Sequence, residues 1–163
     1  MAERIRVLQL QADYHQNSFD YSDLAEQIVA AFPKDRYSVT SAFLRGKPGA
    51  GHPASCADET VFFDFGRSAL KGMRLKLMWR IYEFCRNRKF DVVICNRYKQ
   101  VSLMLHLNRR LKIPLCIGIA HGFSEYDYFW RRQRACVLID DAWRFVGVSP
   151  AVKQYLVDKK CGF

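Results

Sequence analysis

Three polar clusters in this 163-residue chain stand at the ends of apolar runs, and each has residue types able to do chemistry. His121 and Gly122 follow the run 115–120. At the carboxyl end of a strand, that imidazole is placed to donate to a developing negative charge or to a hydroxyl, and Gly122 permits a close backbone approach. Asn96 ends the run 91–96, with Arg97, Tyr98 and Lys99 next. A guanidinium there forks onto a phosphate or carboxylate, and a tyrosine ring stacks on a sugar. Asp13, Tyr14, His15, Gln16 and Asn17 follow the run 4–12 and add donors and acceptors. Each cluster also has a plain reading: a histidine satisfied in the core, a capping turn with exposed charges, a solvated turn. The aromatic run 123–130, with Glu125 inside it as a further substrate-binding candidate, is either a substrate platform or a cover over the core. His15 is the weaker histidine candidate, whereas His52 and His106 read as loop and helix-surface residues.

The elements that must position these clusters follow from periodicity. Strands are predicted over 4–12, 37–44, 60–65, 91–96, 114–120 and 144–148. Helices are predicted over 21–32, 69–89, 99–112 and 150–160, with 121–143 left as a loop. Ser22 is in position to cap the first helix and Pro33 stops it; Ser149 and Pro150 mark the start of the last, since a proline at the first helical position gives up an N–H that would lack a partner anyway. Near-continuous apolar strands alternating with helices require a sheet buried on both faces, so the expected fold is α/β, a Rossmann-like three-layer α/β/α sandwich with a mostly parallel sheet. Ligands of such folds bind beyond the carboxyl ends of the strands, where the three clusters lie.

Composition bounds the rest. A chain of this length with 50% apolar and 14% aromatic residues makes one domain with an ordinary core, which excludes disorder as its main state. Its longest apolar runs fall far short of the roughly 18 residues of a membrane span, and residues 1–13 lack a signal-peptide pattern; the expected location is cytoplasmic, peripheral on the inner face of the cell membrane. The six cysteines form no C-x-x-C and read as free, mostly buried thiols, so no metal site is expected. The first loop lacks the G-x-G-x-x-G that brings a pyrophosphate onto a helix terminus, so no nicotinamide or flavin cofactor is expected.

Net charge is +10, and its distribution is uneven: residues 1–66 carry 6 basic and 9 acidic groups, 67–112 carry 13 and 2, and 113–163 carry 7 and 5. The middle third points to an anionic partner. Its helix 69–89 places Leu70, Met73, Leu77, Ile81 and Phe84 on one face and Leu75, Met78, Trp79, Tyr82 and Cys85 on a second. Lys71, Arg74, Lys76, Arg80, Arg86 and Arg88 lie between or beside them. With Trp79 they suit an anionic membrane surface; a neighbouring helix burying the second face is the other reading.

The order of features resembles the N-terminal half of the GT-B glycosyltransferases, in particular the retaining family 4 enzymes of bacterial lipopolysaccharide and capsule. The carriers are Arg6-Val7-Leu8-Gln9-Leu10, Phe90-Asp91-Val92-Val93-Ile94-Cys95-Asn96, Ile119-Ala120-His121-Gly122, and the run from Phe145 through Ser149-Pro150-Ala151-Val152-Lys153 to Leu156. The resemblance implies that residues 1–163 form the acceptor-binding domain, with the donor-binding C-terminal domain and its pair of glutamates absent. It also implies that His121 matches the family's histidine after the fifth strand and acts in catalysis, and that the first loop closes over the donor's phosphates, although the family's glycine pair is absent from it. The implied donor substrate is a nucleotide diphosphate sugar, used without a metal or organic cofactor. The implied acceptor is a lipid-linked or anionic glycan at an anionic membrane surface. The alternative is a basic nucleic-acid- or membrane-binding module without catalytic activity. No nucleic acid is expected, since helix-turn-helix, ribonucleoprotein and zinc-finger signatures are all missing.

Overall fold

The computed structural model describes residues 3–14, 21–48, 55–66 and 75–159. In chain order the elements are β1 (Ile5–Asp13), α1 (Tyr21–Ala30), β2 (Tyr37–Arg45), β3 (Glu59–Phe62), α2 (Leu75–Arg88), β4 (Val92–Asn96), α3 (Tyr98–Leu111), β5 (Leu115–Ala120), α4 (Phe129–Leu138), β6 (Trp143–Gly147) and α5 (Pro150–Asp158). The six strands form one open sheet in the order β3-β2-β1-β4-β5-β6, and every pairing is parallel. This is the expected Rossmann-like α/β fold.

The order fixes which helix covers which face. From β1 the chain steps one way to β2 and β3, then returns across the sheet to β4 and continues to β5 and β6. Right-handed crossovers in opposite directions must lie on opposite faces. Accordingly Val29 of α1 packs with Val7, Val39, Ile94 and Ile119 on one face. Leu77, Ile81 and Cys85 of α2 and Val101, Met104 and Leu105 of α3 pack with Leu8, Leu10, Val93, Cys95 and Cys116 on the other. A smaller cluster of Ala120, Tyr126, Ala135, Val152 and Leu156 joins α4 and α5 to that second face. The direction of the chain reverses between β1 and β4, which makes their carboxyl ends the topological switch point.

Two close approaches set the β5–β6 half. A Cβ at Gly118 would lie 2.7 Å from the Phe145 ring and 3.1 Å from Val101 Cγ2, and one at Gly147 would collide with the backbone nitrogen of Lys153. The last helix starts as its sequence requires: Ser149 Oγ accepts from Val152 N at 3.3 Å, with Pro150 next.

Several expectations need correction. Residues 129–138, read as part of a loop, are the helix α4. α1 begins at Tyr21, which places Ser22 within its first turn, and its end at Ala30 falls two residues short of Phe32. The strand expected over 60–65 is regular only over Glu59–Phe62, although Phe63 N and Phe65 N still donate to Phe43 O and Leu44 O. Cys85 sits in the core and not on a second face of α2, because it packs at 2% exposure beside Leu77 and Ile81. Among the described thiols, all free, Cys85, Cys95 and Cys116 are buried and Cys56 and Cys136 exposed, in line with the reading of mostly buried free cysteines. Burial pushes the Cys85 and Cys116 thiols up to about 12 and Cys95 well above its ordinary value. No helix among the described residues is long and apolar enough to cross a membrane.

Candidate functional site at the carboxyl edge

The ends of β4 and β5 are adjacent, with Asn96 opposite Ile119, so the Asn96–Tyr98 cluster and His121 meet at one place. What joins them is Glu125. Its Oε2 accepts from Tyr98 N at 2.7 Å and its Oε1 from His121 N at 2.9 Å. One carboxylate therefore ties the first residue of α3 to the first residue after β5, each oxygen serving one backbone N–H in a charge-assisted bond. Burial pushes the Glu125 carboxyl above the usual range, opposed by those two N–H donors and by Arg97 and Arg131.

Arg131, on the first turn of α4, backs this clamp. It donates to Glu125 O at 3.2 Å, and its guanidinium carbon lies 4.8 Å from the Tyr98 ring centroid and 4.6 Å from that of Tyr128. From the other side Tyr155 of α5 accepts from Tyr126 N at 2.9 Å and donates to Asp127 Oδ1 at 3.1 Å. Lys159 bonds the same Asp127 oxygen at 2.7 Å and holds that carboxyl below its usual value. The segment 121–128 is thus fixed to the starts of α3 and α4 and to α5 together, which presents His121 on a preorganised backbone.

Arg97 adopts φ 78°, a left-handed conformation strained for a side-chain-bearing residue, and its N donates to Ile119 O at 3.0 Å. That turn leaves the Arg97 side chain exposed while α3 starts immediately behind it. Gln100, with its amide oriented to suit its neighbours, donates to Asn96 O and Arg97 O and accepts from Ala12 N at 2.8 Å, tying the edge of β1 to that of β4. The Asn96 carboxamide is buried, and neither its oxygen nor its nitrogen is hydrogen-bonded among the described residues. The buried Gln11 Nε2, on the neighbouring strand, is in the same state.

The remaining candidates are distributed as follows. Asp13 is ion-paired with Arg45, and Tyr14 packs edge-on against Phe43 and Phe62 at 5.2 and 5.4 Å, so both tie the end of β1 to β2 and β3. His15 and Asn17 lie outside the described residues, as do Lys71, Arg74 and His52. A Cβ at Gly122 would meet nothing within 4 Å, so the space over it is open among the described residues. Tyr98 stacks under Arg131 and edge-on to Tyr126 at 5.4 Å, so its ring serves the clamp. In the aromatic run only Tyr126 is core, at 1% exposure; Phe123, Tyr128, Phe129 and Trp130 are exposed.

On α2, Lys76, Trp79, Arg80 and Arg86 are exposed, while Arg88 is ion-paired with Glu59. Met78 and Tyr82, expected on a second apolar face, pack partly buried against the main core. Sequence reading missed Gln11, Gln100 and Arg131. The visible signal was Gln9-x-Gln11, two carboxamides at strand period within a central strand. Arg131 gave no signal while α4 was read as loop.

No curated protein matches the chain in sequence. Among solved structures it is similar to sucrose-phosphate synthase from Thermosynechococcus elongatus, with a TM-score of 0.69 and 12% identity over 95% of this chain. The chain spans 45% of the length of that enzyme. A second structure of the same synthase, 81% of which is covered by 94% of this chain, gives a TM-score of 0.55 at 13% identity. At such identities the likeness is one of fold. The sequence itself carries the family: residues 24–161 match the family model Glycosyltransferase Family 4, so the chain belongs to glycosyltransferase family 4.

Proposed function

We propose that this chain is the acceptor-binding, N-terminal Rossmann-like domain of a retaining GT-B glycosyltransferase acting in bacterial cell-surface glycan synthesis. The observation that carries the reading is the Glu125 clamp, which holds His121 at the carboxyl edge of β5 beside the exposed Arg97. In the reaction, the bond from the anomeric carbon to the diphosphate oxygen of a nucleotide sugar breaks. A bond from that carbon to the acceptor hydroxyl oxygen forms, and the hydroxyl proton passes to the leaving diphosphate. His121 hydrogen-bonds the sugar groups near the reacting carbon, and Arg97 takes an anionic group of the acceptor by a charge-assisted fork. The unused donors and acceptors of Asn96 and Gln11 at the switch point support a polyhydroxylated ligand, since carboxamides match hydroxyls in both directions.

A second Rossmann domain supplies the rest of the donor site in this reading, and a lipid-linked acceptor places the enzyme peripherally on the cytoplasmic face of a membrane. The test is sugar transfer from a nucleotide diphosphate sugar to lipid-linked acceptors by the full-length gene product. His121→Ala is expected to lower kcat roughly hundredfold, the scale of removing one donor aimed at developing charge. Transfer undiminished by that substitution would overturn the assignment of His121.

A further inference from the structure

The first two turns of α4 carry Arg131, Arg132 and Arg134, and the fold sends each to a different place. Arg134 Nη1 donates to Ser102 Oγ of α3 at 3.2 Å, and Arg132 faces Asp127. Arg131 turns to the carboxyl edge, where its guanidinium meets three groups. One N–H donates to Glu125 O at 3.2 Å, and the guanidinium carbon stands 4.8 Å from the ring centroid of Tyr98, first residue of α3, and 4.6 Å from that of Tyr128, the N-cap position of α4. A planar guanidinium does both because its faces lie on rings while its edge still donates. A lysine in its place keeps the charge and loses that geometry. The start of α4 has little else to fix it, since Ala135 is the buried residue of the helix and Tyr128 supplies no capping side chain.

Glu125 stands between Arg131 and the edge where His121 lies. Arg131 holds the main-chain oxygen of Glu125, while the side-chain oxygens take Tyr98 N and His121 N. Arg131 therefore binds one member of the clamp, packs on a second and reaches His121 through them. Its charge also favours the ionised Glu125, the form with two acceptor oxygens.

We propose that Arg131 is a positioning residue for sugar transfer, fixing the His121 backbone through Glu125 and Tyr98 without itself holding a substrate. This deepens the reading above and rests on the role given there to His121. Without Arg131 the main chain of Glu125 loses its anchor and the carboxylate no longer has one place to stand. Displacement of a reacting group by about 1 Å costs up to about hundredfold in rate.

The experiment compares Arg131→Gln, Arg131→Lys and Arg134→Gln, the last removing one charge from the same helix away from Glu125. In the 163-residue chain, the Tyr98 and His121 amide resonances are followed against pH without substrate. Around Glu125 the other charged and titratable groups are Arg97 before α3, Tyr98 at its start, His121 and Tyr126 on the same segment, and Tyr155 of α5. Burial pushes the Tyr126 and Tyr155 hydroxyls up, Tyr155 to about 12, so both stay neutral over the titration. The His121 ring is followed by its own carbon-bound proton signals, which separates its titration from that of Glu125. Arg131→Gln is expected to move the shared step of the two amides to higher pH, because a cation opposing the effect of burial on Glu125 is gone. Arg131→Lys should keep the wild-type midpoint and change the plateau shifts of both amides, and Arg134→Gln should match the wild type.

In the transfer assay of the full-length gene product, Arg131→Gln should lower kcat about tenfold with both KM values within about twofold, and Arg131→Lys should fall between. Three results would overturn the proposal: amides of Arg131→Gln that titrate as in the wild type, a lowered Tm with kcat unchanged, or a raised acceptor KM at wild-type kcat, which would make Arg131 a binding residue. If Arg131→Gln does not fold, Arg131→Lys with wild-type amide shifts and wild-type kcat overturns it equally. Full transfer by His121→Ala would instead remove the role of His121. An impaired His121→Ala beside a fully active Arg131→Gln would strike Arg131 alone.

Discussion

Replacing Glu125 by glutamine removes the charge and one of the two acceptors that the clamp needs. In the wild type each carboxylate oxygen takes one backbone N–H, from Tyr98 at 2.7 Å and from His121 at 2.9 Å. The amide has a single oxygen, so its NH2 must face the second N–H, and that donor is left unsatisfied. An unsatisfied, largely buried N–H costs about 1–3 kcal/mol, and release of a desolvated carboxylate offsets part of it, so a net loss of about 1–2 kcal/mol is expected. For a chain of this size that lowers Tm by roughly 2–8 °C. The pH dependence has a defined sign. The Glu125 carboxyl is raised in the folded state, chiefly by burial, so the folded protein holds that proton more tightly than the unfolded chain does. Wild-type stability should therefore fall as pH rises from the ordinary carboxylate range to just above it, and Glu125→Gln should lack that slope. Urea unfolding at several pH values measures this, and amide spectra report Tyr98 and His121 directly, both titrating with one apparent pKa in the wild type. If Glu125→Gln unfolds at the wild-type midpoint with both amide resonances unmoved, the clamp does not exist as described.

The two close-packed glycines should differ in their response to alanine. At Gly147 the new Cβ meets the backbone of α5, colliding with Lys153 N and lying 2.8 Å from Val152 C, so Gly147→Ala should cost about 3 kcal/mol in denaturant unfolding; at Gly118 it meets side chains able to shift, and about 1–2 kcal/mol is expected. Among the described thiols, labelling followed by peptide mapping should modify Cys136 fastest and leave Cys85, Cys95 and Cys116 unmodified in the native state, because those three are buried with raised pKa values. Cys56 should react more slowly than Cys136 at neutral pH, since desolvation and its bond to Glu26 raise its pKa.

Elements with a signal confined to their own residues were legible in the sequence. Ser149-Pro150 announced α5, and apolar runs marked β1, β4 and β5 together with the carboxyl edge where they end. α4 was not legible, because its burial rests on Ala135 alone among its residues and its N-cap position, Tyr128, supplies no capping side chain. The positive φ at Arg97 was equally hidden, since an arginine carries no local signal for it. Glu125 could be singled out by type, but its role as a clamp depends on two backbone amides that only the pairing of β4 with β5 brings together. The charge of the middle third was correct as arithmetic, yet the basic layer extends through α4, beyond the boundary that counting by region had drawn.

The most direct test of an acceptor site at the carboxyl edge is the amide spectrum of this chain, titrated with a phosphorylated oligosaccharide in the absence of lipid. The account predicts saturable shifts centred on Arg97, Tyr98, His121 and Gly122. Shifts confined to α2, or none at millimolar oligosaccharide, would contradict it.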